Sequence, residues 1–239
     1  MSKRRRFKVE SLSGAQAGAM FRLPEDEYRH TRVLRLEPGT EIELFDGVGN
    51  SWVASLEGEQ ALLIEKSAAK IAGSRKLILA VPWPKGKRAG VLVEKCSELG
   101  VTEIIPLRCA RSVVHKDGES EGVTRLRRIA AEAAKQSGRT DTPEIQDETS
   151  VADVLQQNAG ALKVTLDPHA ELSLVEVLQS KNAGEKNVLM LIGPEGGFTL
   201  DEAESMRSAG CETARLGEHI LRMETAAVAA CSVWAATVL

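Results

Sequence analysis

The chain has 239 residues, 43% hydrophobic and 27% charged, with a net charge of −3. That is long enough for one large domain or two smaller ones with real cores, and the composition is that of an ordinary globular protein. The charge excludes a uniformly basic nucleic-acid coat but leaves local patches open.

Cys96, Cys109, Cys211 and Cys231 form no C-x-x-C pair. Met1–Lys8 is basic but lacks the apolar core of a secretory signal. Reduced, mostly buried thiols and a cytoplasmic setting are therefore expected.

In chain order, the first 72 residues read as short strands and turns. Glu41–Phe45 alternates polar and apolar, the pattern of a half-buried strand. Asp46-Gly47 and Gly49-Asn50 turn the chain into Ser51–Leu56, and Ala61–Lys66 is a further strand. A helix over about Glu25–Leu36 interrupts them. A small β-barrel-like domain over 1–72 is predicted, with residues 67–74 as its linker.

From Lys76 the rhythm becomes strand–helix–strand. Leu77–Val81 is an apolar strand. Leu92, Cys96 and Leu99 share a helix face that Gly100 caps. Thr102–Leu107 is strand-like. Leu126, Ile129, Ala130, Ala133 and Ala134 mark a helix over 124–139 that Gly138 ends. Leu162–Leu166 is a strand, and Ser173 with Glu176 caps the helix after it. Val188–Ile192, a helix over Thr199–Ala209, a short strand over Thr213–Leu216 and a last helix complete the chain. This alternation predicts a mostly parallel α/β domain over 73–239, with ligands at the carboxyl ends of strands. The loops after Leu166, Ile192 and Leu216 are the candidates. The apolar run Thr225–Leu239 is shorter than the roughly 18 residues of a membrane span. It predicts a core or subunit-interface helix, and no membrane partner.

The loop Gly193-Pro-Glu-Gly-Gly-Phe198 is the most informative of the three. It follows an apolar strand and precedes a capping box of Thr199 and Glu202. It has neither the Lys-Ser/Thr of a P-loop nor a G-x-G-x-x-G pattern. Glu195 opposes a phosphate ligand and suits one without phosphates, even a cationic one; S-adenosylmethionine, an adenosine carrying a sulfonium, fits. The partner loop, Leu216–Ala226, places Ile220, Leu221 and Met223 where polar residues are usual. Such residues pack on a ligand, on neighbouring loops or on a partner.

Two basic regions stand out. Up to Arg35 there are nine Lys and Arg against four Asp and Glu, a local excess of 9 − 4 = +5. The 124–139 helix adds Arg125, Arg127, Arg128, Lys135 and Arg139. Both are candidate phosphate contacts, though a solvated charged face reads the same way residue by residue. With few aromatics, backbone and shape contacts outweigh base stacking. Lys85, Lys87 and Arg88 face RNA or merely start a helix. His30, His115, His169 and His219 are scattered, so no metal site is expected.

Gly193–Phe198, together with Leu216-Gly217 and Ile220-Leu-Arg-Met-Glu-Thr-Ala226, resembles the RsmE family. These are bacterial 16S ribosomal RNA uridine-N3 methyltransferases of the SPOUT superfamily. Glu98–Val101, Gln136–Arg139 with Pro143, Arg5–Phe7, and His30 with Val33–Arg35 carry the likeness across nearly the whole chain. The resemblance implies a PUA-like RNA-binding barrel and a trefoil-knotted SPOUT domain. It also implies a homodimer and a substrate in 16S rRNA of the 30S subunit, in the helix 44 decoding region. S-adenosylmethionine would sit against Leu166, Ile192, Gly193, Pro194, Glu195, Gly196, Gly197, Leu216, Gly217, Ile220, Leu221, Arg222, Glu224 and Thr225. Backbone approach makes Gly196 intolerant of a side chain.

Arg222 is the candidate to stabilise charge developing on uracil, or else a loop arginine that pairs with Glu224 or holds the dimer. Glu195 acts as a base or orients an amide, or only shapes its loop. RNA contacts fall on Arg4, Arg5, Arg6, Arg22, Arg32, Arg35, Arg125, Arg128, Gln136 and Arg139. His219, where arginine is expected, and Lys135, where glutamate is expected, depart from the family pattern. Both could alter RNA contacts and neither is expected at the glycine loop. The alternatives are a knotted methyltransferase acting on another rRNA or tRNA nucleotide, and a non-catalytic RNA-binding homologue.

Overall fold

A computed structural model of the chain describes residues 4–67, 75–112 and 119–238. Most of the expected linker, Lys3 and His115 lie outside these residues. The chain divides into two compact units, Met1–Ala72 with Ala134–Thr142, and Gly73–Ala133 with Pro143–Leu239. The first unit therefore takes in a segment from well beyond its expected boundary.

In the first unit, strands β1 (Arg5–Lys8), β2 (Met20–Arg22), β3 (Glu41–Phe45), β4 (Ser51–Glu57) and β5 (Gln60–Lys66) form one sheet, ordered β1-β3-β4-β5-β2. β1 runs parallel to β3; the other pairs are antiparallel. Helix α1 (Glu25–Val33) is shorter than expected, because the chain turns left-handed at Arg35, φ 54°. Phe7, Ile42, Leu44, Ala54 and Leu63 centre the core. β1 and β2 escape the alternation rule for a simple reason. Both are short and charged, and they become strands only through partners distant in sequence.

The segment 134–142 is held to this unit by buried polar pairs. The Arg6 guanidinium, 4% exposed, pairs with Glu43 at 3.3 Å, lies over the Phe45 ring and donates to the carbonyls of Ala134 and Lys135. Lys135 Nζ pairs with Glu27 at 2.7 Å, both side chains being almost buried. Asp46 lies beneath the following turn. Its carboxylate accepts from the backbone N–H groups of Leu12, Val48 and Asn50 and from the Asn50 amide.

The second unit is a parallel sheet of β6 (Leu77–Val81), β7 (Glu103–Arg108), β8 (Glu144–Ile145), β9 (Thr149–Ser150), β10 (Leu162–Leu166), β11 (Val188–Leu191) and β12 (Glu212–Ala214). The order is β12-β10-β11-β6-β7-β8, with β9 also on β7. Every residue of β6 and β11 is buried, as continuous apolar strands of a sheet covered on both faces require. The pleat then sorts them. Leu77, Leu79, Val188 and Met190 enter one core, with helices α2 (Arg88–Glu98), α3 (Glu119–Ser137), α5 (Leu174–Ser180) and α7 (Met223–Val238). Ile78, Ala80, Leu189 and Leu191 enter the other, with α4 (Val151–Gln157) and α6 (Leu200–Ser208). β8, β9 and α4 were not expected; two-residue strands and a two-turn helix leave no periodicity to read. The caps at Ser173–Glu176 and Thr199–Glu202 form in full. Cys96, Cys109, Cys211 and Cys231 are free thiols, and Cys211 alone is not fully buried.

From β10 the chain passes through α5 to β11 on one side, then through α6 to β12 on the other side of β10. The order reverses around β10, and the carboxyl ends of these three strands form a switch point where α/β sheets open a crevice.

Candidate active site

The crevice is present. A cavity of about 890 Å³ lies at these strand ends, walled by Thr165–His169, Ile192–Glu195 with Gly197 and Phe198, residues of α6, and Leu216–Met223 without Glu218. All three loops expected at strand ends contribute. Ile192 is nearly buried at its floor. Ile220 is 80% exposed and Leu221 37% exposed along its wall, the position in which two apolar loop residues can meet a ligand.

The glycine loop is shaped by local chemistry. The Gly197 N–H donates to the Pro194 carbonyl at 2.8 Å, and Gly197 is left-handed at φ 68°. That is a turn where an L side chain is strained. A Cβ on Gly193 would stand 3.1 Å from the Phe198 ring, so a side chain there would require the ring to give way by a few tenths of an ångström. Glu202 ties off the far side, accepting from Thr199 N and from Ala110 N, each at 2.8 Å.

Gly196 is placed differently from its neighbours in the loop. It does not line the cavity, and a Cβ there would meet the Arg111 side chain at 3.4 Å, an ordinary contact. Glu224 and Thr225 also lie off the cavity wall. Glu224 instead accepts from Arg88 Nη1 at 3.3 and 3.5 Å, and the same guanidinium stands 3.8 Å from Glu195. Arg88, partly exposed at the start of α2, is thus tied to two carboxylates within its own unit. Arg222 lines the cavity and is exposed. Its expected alternative partner, Glu224, is engaged by Arg88, and Arg222 makes no ion pair among the described residues.

Two further residues at the cavity carry chemistry. His219 lines the cavity, as Gly193–Glu195 do. Cys211 also lines it, and burial pushes its thiol up to about 11. A neutral thiol there is no nucleophile. Arg111, which sequence reasoning missed, donates to the carbonyls of Gly196 at 2.9 Å and Phe198 at 3.3 Å. No local pattern could reveal it, since its partners lie some 85 residues away.

The candidate RNA residues separate by exposure. Arg5, Arg32, Arg35, Arg125, Arg128 and Gln136 are exposed. Arg4 pairs with Glu41 and Arg22 with Glu59, both at the surface. Arg6 must be withdrawn from the set, because its guanidinium is buried in ties within the fold. Arg139 is largely buried against Asp141, and Lys135 is spent on Glu27 rather than on a ligand. Among the described residues no cluster of His, Cys, Asp and Glu could hold a metal, and no helix is long and apolar enough to cross a membrane.

Comparison with known proteins bears on both units. Residues 72–235 match the RNA methyltransferase domain family, and residues 23–66 match the RNA methyltransferase PUA domain. The small N-terminal unit is accordingly PUA-like. The chain is 30% identical over 225 residues to ribosomal RNA small subunit methyltransferase E of Bacillus subtilis, covering 89% of this chain and 88% of that protein. It is similar to the crystal structure of the Neisseria gonorrhoeae methyltransferase E bound to S-adenosylmethionine. The TM-score is 0.84 at 27% identity, over 96% of each chain. It is also similar to a putative methyltransferase of Legionella pneumophila solved with the same cofactor, with TM-score 0.83 at 28% identity over 98% of each chain. The chain belongs to the family of ribosomal RNA small subunit methyltransferase E, the RsmE family.

Proposed function

We propose that this protein transfers a methyl group from S-adenosylmethionine to N3 of one uridine in the helix 44 decoding region of 16S rRNA. The observation that carries the reading is the convergence of three strand-end loops on one cavity that has apolar walls, a bare glycine backbone, a rim acid and a rim arginine. These residues fit the cofactor. Leu166, Ile192, Leu216 and Leu221 offer walls for an adenine ring, and Glu195 makes the rim tolerant of a cation.

The bound cofactor supplies an activated methyl group. The chain does the rest. The loops 193–197 and 216–221 hold the donor in line with N3, and such positioning lowers the barrier by several kcal/mol. Arg222 faces the target base and stabilises the negative charge that develops on uracil as its N3 proton leaves. Glu195 orients the site from the rim. The target base must be exposed or flipped to reach the cavity.

The PUA-like region, 1–72, grips RNA through Arg5, Arg32 and Arg35, aided by Arg125, Arg128 and Gln136 on α3. The region 73–239 is a SPOUT domain knotted as a trefoil, paired through its apolar last helix in a cytoplasmic homodimer. The test is transfer of labelled methyl onto 30S subunits and onto naked 16S RNA, with the modified nucleoside identified. N3-methyluridine is expected. A methylated ribose or guanine would move the protein to another knotted methyltransferase reaction, and cofactor-free RNA binding would make it a binding protein only.

A further inference from the structure

We propose that Arg88 is a positioning residue for the methyl donor, a latch that joins the glycine loop to the first turn of α7; this rests on the donor reading above. Its guanidinium contacts two carboxylates from different elements. Glu224, at the start of α7, accepts from Nη1 at 3.3 and 3.5 Å and is only 14% exposed; Glu195, in the loop, stands at 3.8 Å and is 64% exposed. The two contacts are unequal. A surface pair such as Arg88–Glu195 holds little by itself, while a sheltered one holds its geometry. Glu224 also sits where the α7 dipole favours an acid. Arg88 is therefore anchored on α7, and the loop acid is what it captures.

The rest of the loop is held differently. Arg111 and the Thr199–Glu202 cap secure the Gly196–Thr199 side. On the Glu195 side, the ion pair among the described residues is the one to Arg88. Arg88 does not line the cavity, so it acts through the loop and not on a ligand. Without it the Glu195 edge loses its tether, and two carboxylates are left facing each other.

The test measures calorimetric Kd for S-adenosylmethionine and for the uncharged product S-adenosylhomocysteine. It adds kcat and KM on small subunits and hydrogen exchange over 193–198, in wild type, Arg88→Ala, Arg88→Lys and the isosteric Glu224→Gln. A positioning role predicts that Arg88→Ala weakens both ligands in equal proportion, by roughly threefold to fivefold. It leaves kcat at saturating donor within about twofold, and it speeds exchange at Gly196 and Gly197. Arg88→Lys recovers most of the loss and Glu224→Gln reproduces it. Unchanged affinity and exchange in Arg88→Ala, or a loss confined to kcat, would overturn the latch. Wild-type protein that binds no donor would instead overturn the proposed function, and the exchange comparison would still decide the latch.

Discussion

The core of the PUA-like unit and the cavity of the second unit use charge in opposite ways. In the PUA-like unit the notable charged groups are turned inward: Arg6 on Glu43, Lys135 on Glu27 and Asp46 on three backbone N–H groups. At the cavity of the second unit Arg222 is turned outward, exposed and unpaired among the described residues. A charge satisfied by the fold has little left for a ligand, because burying it unpaired costs several kcal/mol. A charge left at a cavity rim is poorly used by the fold and free for chemistry. Local sequence shows neither difference, since all of these residues are equally polar on paper.

The contrast can be broken or sharpened by substitution. Arg222→Ala should have the largest effect, lowering turnover on the order of a hundredfold or more, with 30S affinity and melting temperature almost unchanged. Comparable loss of 30S affinity in a filter-binding assay would reassign Arg222 to RNA grip.

The glycines test how the loop is built. Gly193→Val should weaken S-adenosylmethionine binding on the order of tenfold to a hundredfold, because its side chain meets the Phe198 ring and displaces the loop. Gly196→Ala should be close to silent by calorimetry, since its Cβ meets only Arg111 at ordinary distance. Equal sensitivity at both positions would show that loop flexibility, not the space at Gly193, governs binding.

Asp46 tests the inward-facing class. Burial alone would raise its pKa, but the hydrogen bonds from Asn50, Val48 and Leu12 outweigh that and hold it below the ordinary carboxylate value. Its stabilising contribution is therefore complete above the unfolded pKa of about 3.9 and is lost as the pH falls through the lower folded value. Asp46→Ala should cost about 2 kcal/mol at neutral pH by stranding backbone donors. It should also flatten the acid limb of the stability curve measured by denaturant titration, while leaving cofactor affinity alone.

The family and the site were legible to different depths. The strand–loop–cap grammar around Gly193–Glu202 is local, so spacing alone places the loop, and the structure forms the cap as expected. Leu77–Val81 and Val188–Leu191 are equally legible, because a run of apolar residues leaves a covered strand little alternative. The burial of Arg6 is not legible for the opposite reason: its partners Glu43 and Ala134 are separated from it by long stretches of chain, and nothing nearby signals burial.

By itself the sequence determined the longer apolar strands, the capped helices and the three strand-end loops that wall the cavity. These depend on hydrophobic period and capping chemistry, both of short range. Only the tertiary structure decided which charges are spent on the fold. It buried Arg6, gave Glu224 to Arg88, drew residues 134–142 into the first unit and set His219 on the cavity wall. Each outcome rests on groups far apart in sequence meeting at a few ångströms, where Coulombic attraction and desolvation are strong enough to select a partner.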